Sequence, residues 1–272
     1  MEFSLGFRNL RMKVVILCGG QGTRIRDIAE NIPKPMIKIG TYPILWHIMQ
    51  TYASAGHKEF VLCLGHLGHL IKEFFLNYNT LTNDFSLKLN EPNTIHFHNE
   101  KNALDWHVTL AETGNNVMTG ARIKRIKRYI ASDQTFMLTY GDGLSDLDFS
   151  SLIDFHNSHG KTMTLTGVRP PGRFGELEVD QQGKAVEFNE KPQATGGMIS
   201  GGFFVCQNSI FDWLDDNPTL VFENDPMRNL VASNELMVYQ HDGFWQCMDT
   251  ARDHRLLTSM WDSGSAPWKN WL

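Results

Sequence analysis

Several features that would direct a reader elsewhere are scarce or missing in this sequence. Only four of its 272 residues are cysteine. Cys18, Cys63, Cys206 and Cys247 stand far apart, with no CxxC or zinc-type spacing, and read as reduced, mostly buried thiols of a cytoplasmic protein. Positive charge is not in excess. Lys and Arg number 25 against 30 Asp and Glu, a net charge of −5. That excludes broad nucleic-acid binding, which needs a strong positive field, but leaves room for a local basic pocket around a small phosphorylated ligand. Long apolar runs are also missing. The strongly apolar stretch Phe60–Ile71 is too short to span a bilayer. The run Val14–Leu17 behind Arg8, Arg11 and Lys13 is too short for a signal peptide, so no membrane partner is expected. Eleven histidines occur, including His66/His69 and His96/His98, yet there is no HExxH and no supporting cysteine cluster, so zinc is not expected. GxGxxG, GxxxxGK[ST], internal repeats and low-complexity linkers are absent as well.

What is present reads as alternating strands and helices. The length allows one large or two small domains. Residues 1–11 read as an extension, expected to be disordered, because Met12 directly precedes the first strand-like run. Residues 12–272 are expected to form a single domain, with 12–145 mainly a nucleotide-binding half and 146–272 mainly a sugar-binding half. Val14–Cys18 is a continuous apolar run closed by Gly19-Gly20, the mark of a strand buried on both faces. A helix is expected from Pro43, with Ile44, Leu45, Ile48, Met49 and Tyr52 on one face and Gly56 as its stop. Further strands are expected at Phe60–Leu64, Ile95–His98 and Phe136–Tyr140. An amphipathic helix is expected at Thr119–Ala131, its isoleucines inward and its five basic residues mostly outward. The second half looks more antiparallel, with a hairpin of Leu177–Val179 and Ala185–Phe188, strands at Thr162–Val168, Phe203–Cys206 and Leu236–Tyr239, and a closing helix at Thr250–Trp261. The fold class is therefore α/β, one Rossmann-like mixed sheet with an elaborated C-terminal part.

Gly19-Gly20-Gln21-Gly22-Thr23-Arg24 follows the first strand, where open α/β sheets bind ligands. Glycines there let backbone N–H groups approach a phosphate or a base edge. The glycines alone serve equally as a tight turn. Arg24, and Lys34 held between prolines in Pro33-Lys34-Pro35-Met36, add cations suited to a polyphosphate. Asp142 lies in Gly141-Asp142-Gly143 after a buried strand, and Asp249 just before the last helix. Taken alone, the first fits a plain turn and the second a helix cap with Thr250.

GGxGTR followed by KPM resembles the signature of the sugar-1-phosphate nucleotidyltransferases. The similarity runs over residues 12–272, through Pro43–Met49, Tyr140–Gly143, Pro170–Gly175, Glu190-Lys191-Pro192, Gly201–Phe204, Gly243–Trp245, Met248–Thr250 and Ala266–Lys269. Together these later stretches resemble the family's cytidylyl-transferring branch. The resemblance implies a nucleotidyltransferase-type fold and attack of a sugar 1-phosphate, glucose 1-phosphate in this branch, on the α-phosphorus of CTP. It implies Mg2+ held by Asp142 and Asp249, and catalytic roles for Arg24, Lys34 and Asp142. Gly19, Gly20, Gly22, Thr23, Arg24, Lys34, Thr113, Gly114 and Arg122 would meet the nucleotide. Gly175, Glu190, Lys191 and Gly202 would meet the sugar phosphate. A homo-oligomer, with a hexamer among the candidates, is implied in the same way. Arg122 reads equally as part of a solvated helix face, and Gly202 as a close strand contact.

The chemistry suits those residue types. A phosphate nucleophile is already ionised at neutral pH, so positioning and charge stabilisation matter more than proton transfer. Within the family that the chain resembles, UTP, dTTP or another sugar phosphate is the nearest rival, and two other classes remain open on sequence. One is a nucleotide-sugar-binding homologue without catalysis. The other is a glycosyltransferase with a DxD motif, spelled by Asp146-Leu147-Asp148, although that motif also fits a cap of the next helix.

Overall fold

The computed structural model describes residues 11–22, 25, 31–98, 104–130, 132–170, 176–179, 182, 184–189 and 197–271. Its main strands are β1 Lys13–Leu17, β4 Glu59–Leu64, β7 His107–Glu112, β8 Thr135–Tyr140, β10 Met163–Val168, β13 Ile199–Gln207 and β14 Leu236–His241. They form a seven-stranded mixed sheet in the order β14-β10-β13-β8-β1-β4-β7. Between β1 and β4 in the chain lies the ribbon of β2 (Lys38–Ile39) with β3 (Tyr42–Pro43), and between β4 and β7 lie α2 (Gly68–Leu76), α3 (Tyr78–Thr82) and the ribbon of β5 (Phe85–Lys88) with β6 (Glu91–Phe97). β8, β1, β4 and β7 run parallel; β13 is antiparallel to both β8 and β10, and β10 is parallel to β14. One reversed strand thus makes the sheet mixed.

Strand alternation divides the core into two layers. Val14 and Ile16 of β1 face one layer with Phe60, Leu62 and Leu64 of β4. Helices α1 (Ile44–Ser54), α6 (Phe149–His159) and α8 (Ala251–Asp262) cover that side through Leu45, Ile48, Met49, Leu152 and Leu257. Val15, Leu17, Val61 and Cys63 face the other layer, under Ile123, Ile126 and Ile130 of α4 (Thr119–Arg125) and α5 (Lys127–Ile130), with Leu230 of α7 (Asp225–Ala232). The tryptophan-rich C-terminus belongs to the core. Trp268 is fully buried, and its indole N–H reaches His47 Nδ1 at 3.5 Å. Trp261 packs edge-on against His47, and Trp271 against Trp46.

Local signals account for the helix starts. Asp148 caps α6 by accepting from the Ser150 and Ser151 amides, so the Asp146–Asp148 spelling does serve the next helix. Thr250 and Asp253 form a reciprocal capping box on α8. Asp249, one residue earlier, is therefore not the cap. The hairpin of β11 (Glu176–Val179) with β12 (Ala185–Asn189) stands as expected.

One expectation is corrected. The single helix over Thr119–Ala131 is two short helices that part at Ile126, where the backbone closes a tighter turn onto Ile123. Its charged face is not simply solvated either. Lys124 donates to the Phe211 carbonyl, Arg125 bonds Asp216 and the Thr113 carbonyl, and Arg122 is only 4% exposed. Among the described residues no helix is long and apolar enough to cross a membrane.

Candidate active site

The chain leaves β1 for β4 and then β7 in one direction, and returns to place β8 on the other side of β1. The crevice beyond the carboxyl ends of β1 and β8 is thus the topological switch point, where open α/β sheets take their ligands. A cavity of about 470 Å3 opens there. Gly19–Gly22, Lys34, Asn115–Thr119, Arg122, Tyr140 and Asp142 line it.

Arg122 forms the floor. Its Nη1 donates to the Leu64 carbonyl at 2.9 Å, the Thr113 hydroxyl at 2.8 Å and the Gly114 carbonyl at 2.7 Å. Its Nη2 donates to the Gly19 carbonyl at 2.9 Å. One guanidinium therefore ties together the ends of β1, β4 and β7. The packing explains two glycines. A methyl group at Gly19 would lie 2.3 Å from the guanidinium carbon, and one at Gly65 2.5 Å from Nη1. Burial, first among the causes, pulls the Arg122 pKa below its ordinary value, with the neighbouring Arg125 acting in the same direction. Gly20, by contrast, has open space where a side chain would be. Gly22 takes a left-handed φ of 59° and lies over the Lys34 side chain.

The acid pair is built by a small ribbon. β9 (Gly143–Ser145) pairs antiparallel with β15 (Trp245–Cys247), aligning Gly143 with Cys247. The pairing extends one step further as the Met248 amide donates to the Asp142 carbonyl. Asp142 and Asp249, 107 positions apart, are thereby set side by side. Both carboxylates bind the same ammonium: Lys34 Nζ lies 2.5 Å from Asp142 Oδ2 and 2.5 Å from Asp249 Oδ1. Lys34 opens a short 3-10 turn, Lys34–Met36, with Pro33 as its cap and Pro35 inside it. Burial works against its charge, but Asp142 first and Asp249 next outweigh it, and the amine is held above its ordinary pKa. Cys247 stands beside them, its sulfur 3.7 Å from Asp249 Oδ2. Burial, and secondarily the Asp249 charge, push that thiol up to about 12, so it stays protonated.

The donor set fits a hard divalent cation. Two carboxylates already converge on one positive charge, and Mg2+ is commonly held by one or two carboxylates with phosphate and water completing the shell. Among the described residues no group of three or more His, Cys, Asp and Glu side chains gathers as a metal cluster.

Of the residues singled out in the sequence, Gly19, Gly20, Gly22, Lys34, Thr113, Gly114, Arg122, Asp142 and Asp249 lie together at this end of the sheet. Gly202 has a φ of 76°, and a methyl group there would lie 2.5 Å from the Tyr140 ring, so its visible role is the close strand contact. Thr23, Arg24, Gly175, Glu190 and Lys191 lie outside the described residues. The Asn115–Met118 segment was not singled out in the sequence, and Tyr140 was read only as a strand end and as the start of the Tyr140–Gly143 stretch. Tyr140 lines the cavity and donates to Glu223, which also accepts from Thr119 Oγ1 at 2.7 Å. The position of Tyr140 immediately before the Gly-Asp-Gly turn was the available signal.

The crevice is thus a ligand site of the open α/β class, with charges suited to a phosphorylated ligand. The nucleotidyl transferase family model matches residues 13–252. The chain is 47% identical to the glucose-1-phosphate cytidylyltransferases of Salmonella typhi and Salmonella typhimurium, over 96% of its own length and 100% of theirs. It belongs to the nucleotidyl transferase family. The crystal structure of HddC from Yersinia pseudotuberculosis complexed with GMP-PN shares the fold, with a TM-score of 0.64 at 21% identity over 92% of this chain and 99% of that one.

Proposed function

We propose that this protein transfers a cytidylyl group from CTP to α-D-glucose 1-phosphate, giving CDP-glucose and pyrophosphate. The observation that carries the reaction type is the convergence of Asp142 and Asp249 on Lys34, which with Asp142 lines the Gly19–Gly22 cavity. The full-length similarity to the Salmonella cytidylyltransferases supports the choice of nucleotide and sugar.

In this reading the glycine loop Gly19–Gly22, with Thr23 and Arg24, receives the triphosphate, and Lys34 meets its phosphates. Thr113, Gly114 and Arg122 shape the nucleoside end. Arg122 acts there chiefly by holding three strand ends in place, because its donors are engaged by backbone oxygens. Glu190 and Lys191 meet the sugar phosphate, with Gly175 and Gly202 allowing close backbone approach. Asp142 and Asp249 would hold Mg2+, which supplies positive charge to the α-phosphate and the departing pyrophosphate. The sugar phosphate oxygen attacks the α-phosphorus in line, and the bond to the β-phosphate oxygen breaks. No general base is needed, which agrees with the Cys247 thiol staying protonated and with cations and carboxylates dominating the site. Residues 12–272 act as one domain, with the nucleotide mainly on 12–145, the sugar mainly on 146–272, and 1–11 dispensable. The protein works in the cytoplasm as a homo-oligomer, a hexamer being the assembly to test first.

The test is a panel of nucleoside triphosphates against sugar 1-phosphates with Mg2+, scored by pyrophosphate release. CTP with glucose 1-phosphate should give the highest kcat/KM. No release from that pair, with release from another, would replace the substrate assignment; no release from any pair would favour a binding homologue without catalysis.

A further inference from the structure

The Lys34 ammonium sits against both carboxylates, Asp142 and Asp249, that would hold a divalent cation. A metal there would compete with it, since like charges a few ångströms apart repel in a partly buried site. The Lys34 side chain is 13% exposed, against 28% and 24% for Asp142 and Asp249. Its backbone is fixed by Pro33 and Pro35 and by the turn they enclose, so only the flexible stem can move. The same lysine also lines the glycine-loop cavity, so it borders both the acid pair and the space assigned to the triphosphate.

We infer that Lys34 is an internal countercation that holds the metal position closed in the free protein and opens it when a nucleoside triphosphate arrives. The inference rests on the metal and phosphate roles given above for Asp142, Asp249 and Lys34. Leaving the carboxylates strands a positive charge unless an anion receives it, and the triphosphate in the adjoining cavity is that anion. Metal and nucleotide binding are therefore coupled through one side chain. The free protein binds divalent metal weakly, and each ligand strengthens the other by the same factor. The ammonium also offsets one of the two carboxylate charges before substrate binds.

Mn2+ binding to the full-length protein without nucleotide, followed by the electron paramagnetic resonance signal of free Mn2+, reads this directly. Lys34→Met should bind Mn2+ about tenfold or more tightly than the wild type. Lys38→Met, a change at an exposed lysine nearby, should leave binding unchanged. Adding Asp142→Asn to Lys34→Met should abolish the gain. Circular dichroism checks the fold, and Lys34→Gln serves if Lys34→Met does not fold. Equal Mn2+ affinity in wild type and Lys34→Met overturns the inference, as does a gain that survives Asp142→Asn or appears equally in Lys38→Met. Those outcomes are separable from failure of the transferase reading, which shows instead in the pyrophosphate-release panel run on the wild type.

Discussion

Two cations border the same cavity and are held in opposite ways. Arg122 is buried at the floor and donates to backbone carbonyls at the ends of three strands. Lys34 sits at the rim, between two carboxylates that are themselves part exposed. These carbonyl oxygens belong to backbone held at the strand ends, so the arginine is part of the frame. Carboxylates can trade one cation for another, so the lysine is exchangeable. How a charge is held thus separates architecture from chemistry at a single site.

The largest effect should come from the exchangeable end. Asp142→Asn and Asp249→Asn each remove a negative charge from the acid pair. Each should lower Mg2+-dependent turnover of CTP with glucose 1-phosphate by roughly a hundredfold to a thousandfold, with little change in thermal stability. Near-normal turnover in either would remove that residue from the catalytic centre.

The frame should respond in stability. Gly19→Ala puts a methyl group 2.3 Å from the Arg122 guanidinium, whereas Gly20→Ala meets nothing within 4 Å. The first should cost about 1–3 kcal/mol in a denaturant titration. The second should leave the midpoint in place while weakening nucleotide binding. Equal stability for both would mean that the arginine yields without cost.

A smaller effect comes from His47, behind the site under Trp268. Burial pulls its pKa from 6.5 to about 4, so it stays neutral in the folded protein while an unfolded chain protonates it below 6.5. Its contribution is complete above pH 6.5 and is lost as the pH falls toward 4. The melting temperature should decline over that window, and His47→Gln should flatten part of the decline. An unchanged slope would shift the acid sensitivity to other groups such as His156, which burial also pulls to about 4.

The contrast between the two cations also separates what was legible in the sequence from what was not. The buried strand Val14–Leu17, the glycine loop after it and the Lys34 turn were legible because each is a local pattern with a local cause. So was the cap at Asp148. The break at Ile126 was hidden, because isoleucines at 123, 126 and 130 satisfy helical spacing on either side of it. The burial of Arg122 was hidden more deeply. It depends on the missing side chains of Gly19 and Gly65, on two other strands, and no neighbouring residue reports that space. The meeting of Asp142 with Asp249 was legible only through family resemblance. The ribbon that aligns them consists of two three-residue strands, too short to show alternation. Tyr140 was legible as a strand end and as part of a family stretch, but its contacts with Glu223 and Gly202 were not, because those partners lie more than 60 positions away.

Thermal melting of Arg122→Met and Lys34→Met, each with and without Mg2+ and compared with the wild type, tests the distinction most directly. Arg122→Met removes the guanidinium donor from the Gly19 and Gly114 carbonyls and should melt well below the wild type, by an amount that Mg2+ does not restore. Lys34→Met should keep a near-native melting temperature, and Mg2+ should raise it by more than it raises the wild type's. Equal Mg2+ shifts in the two variants, or a Lys34→Met protein as unstable as Arg122→Met, would contradict the division of the two cations into frame and exchangeable charge.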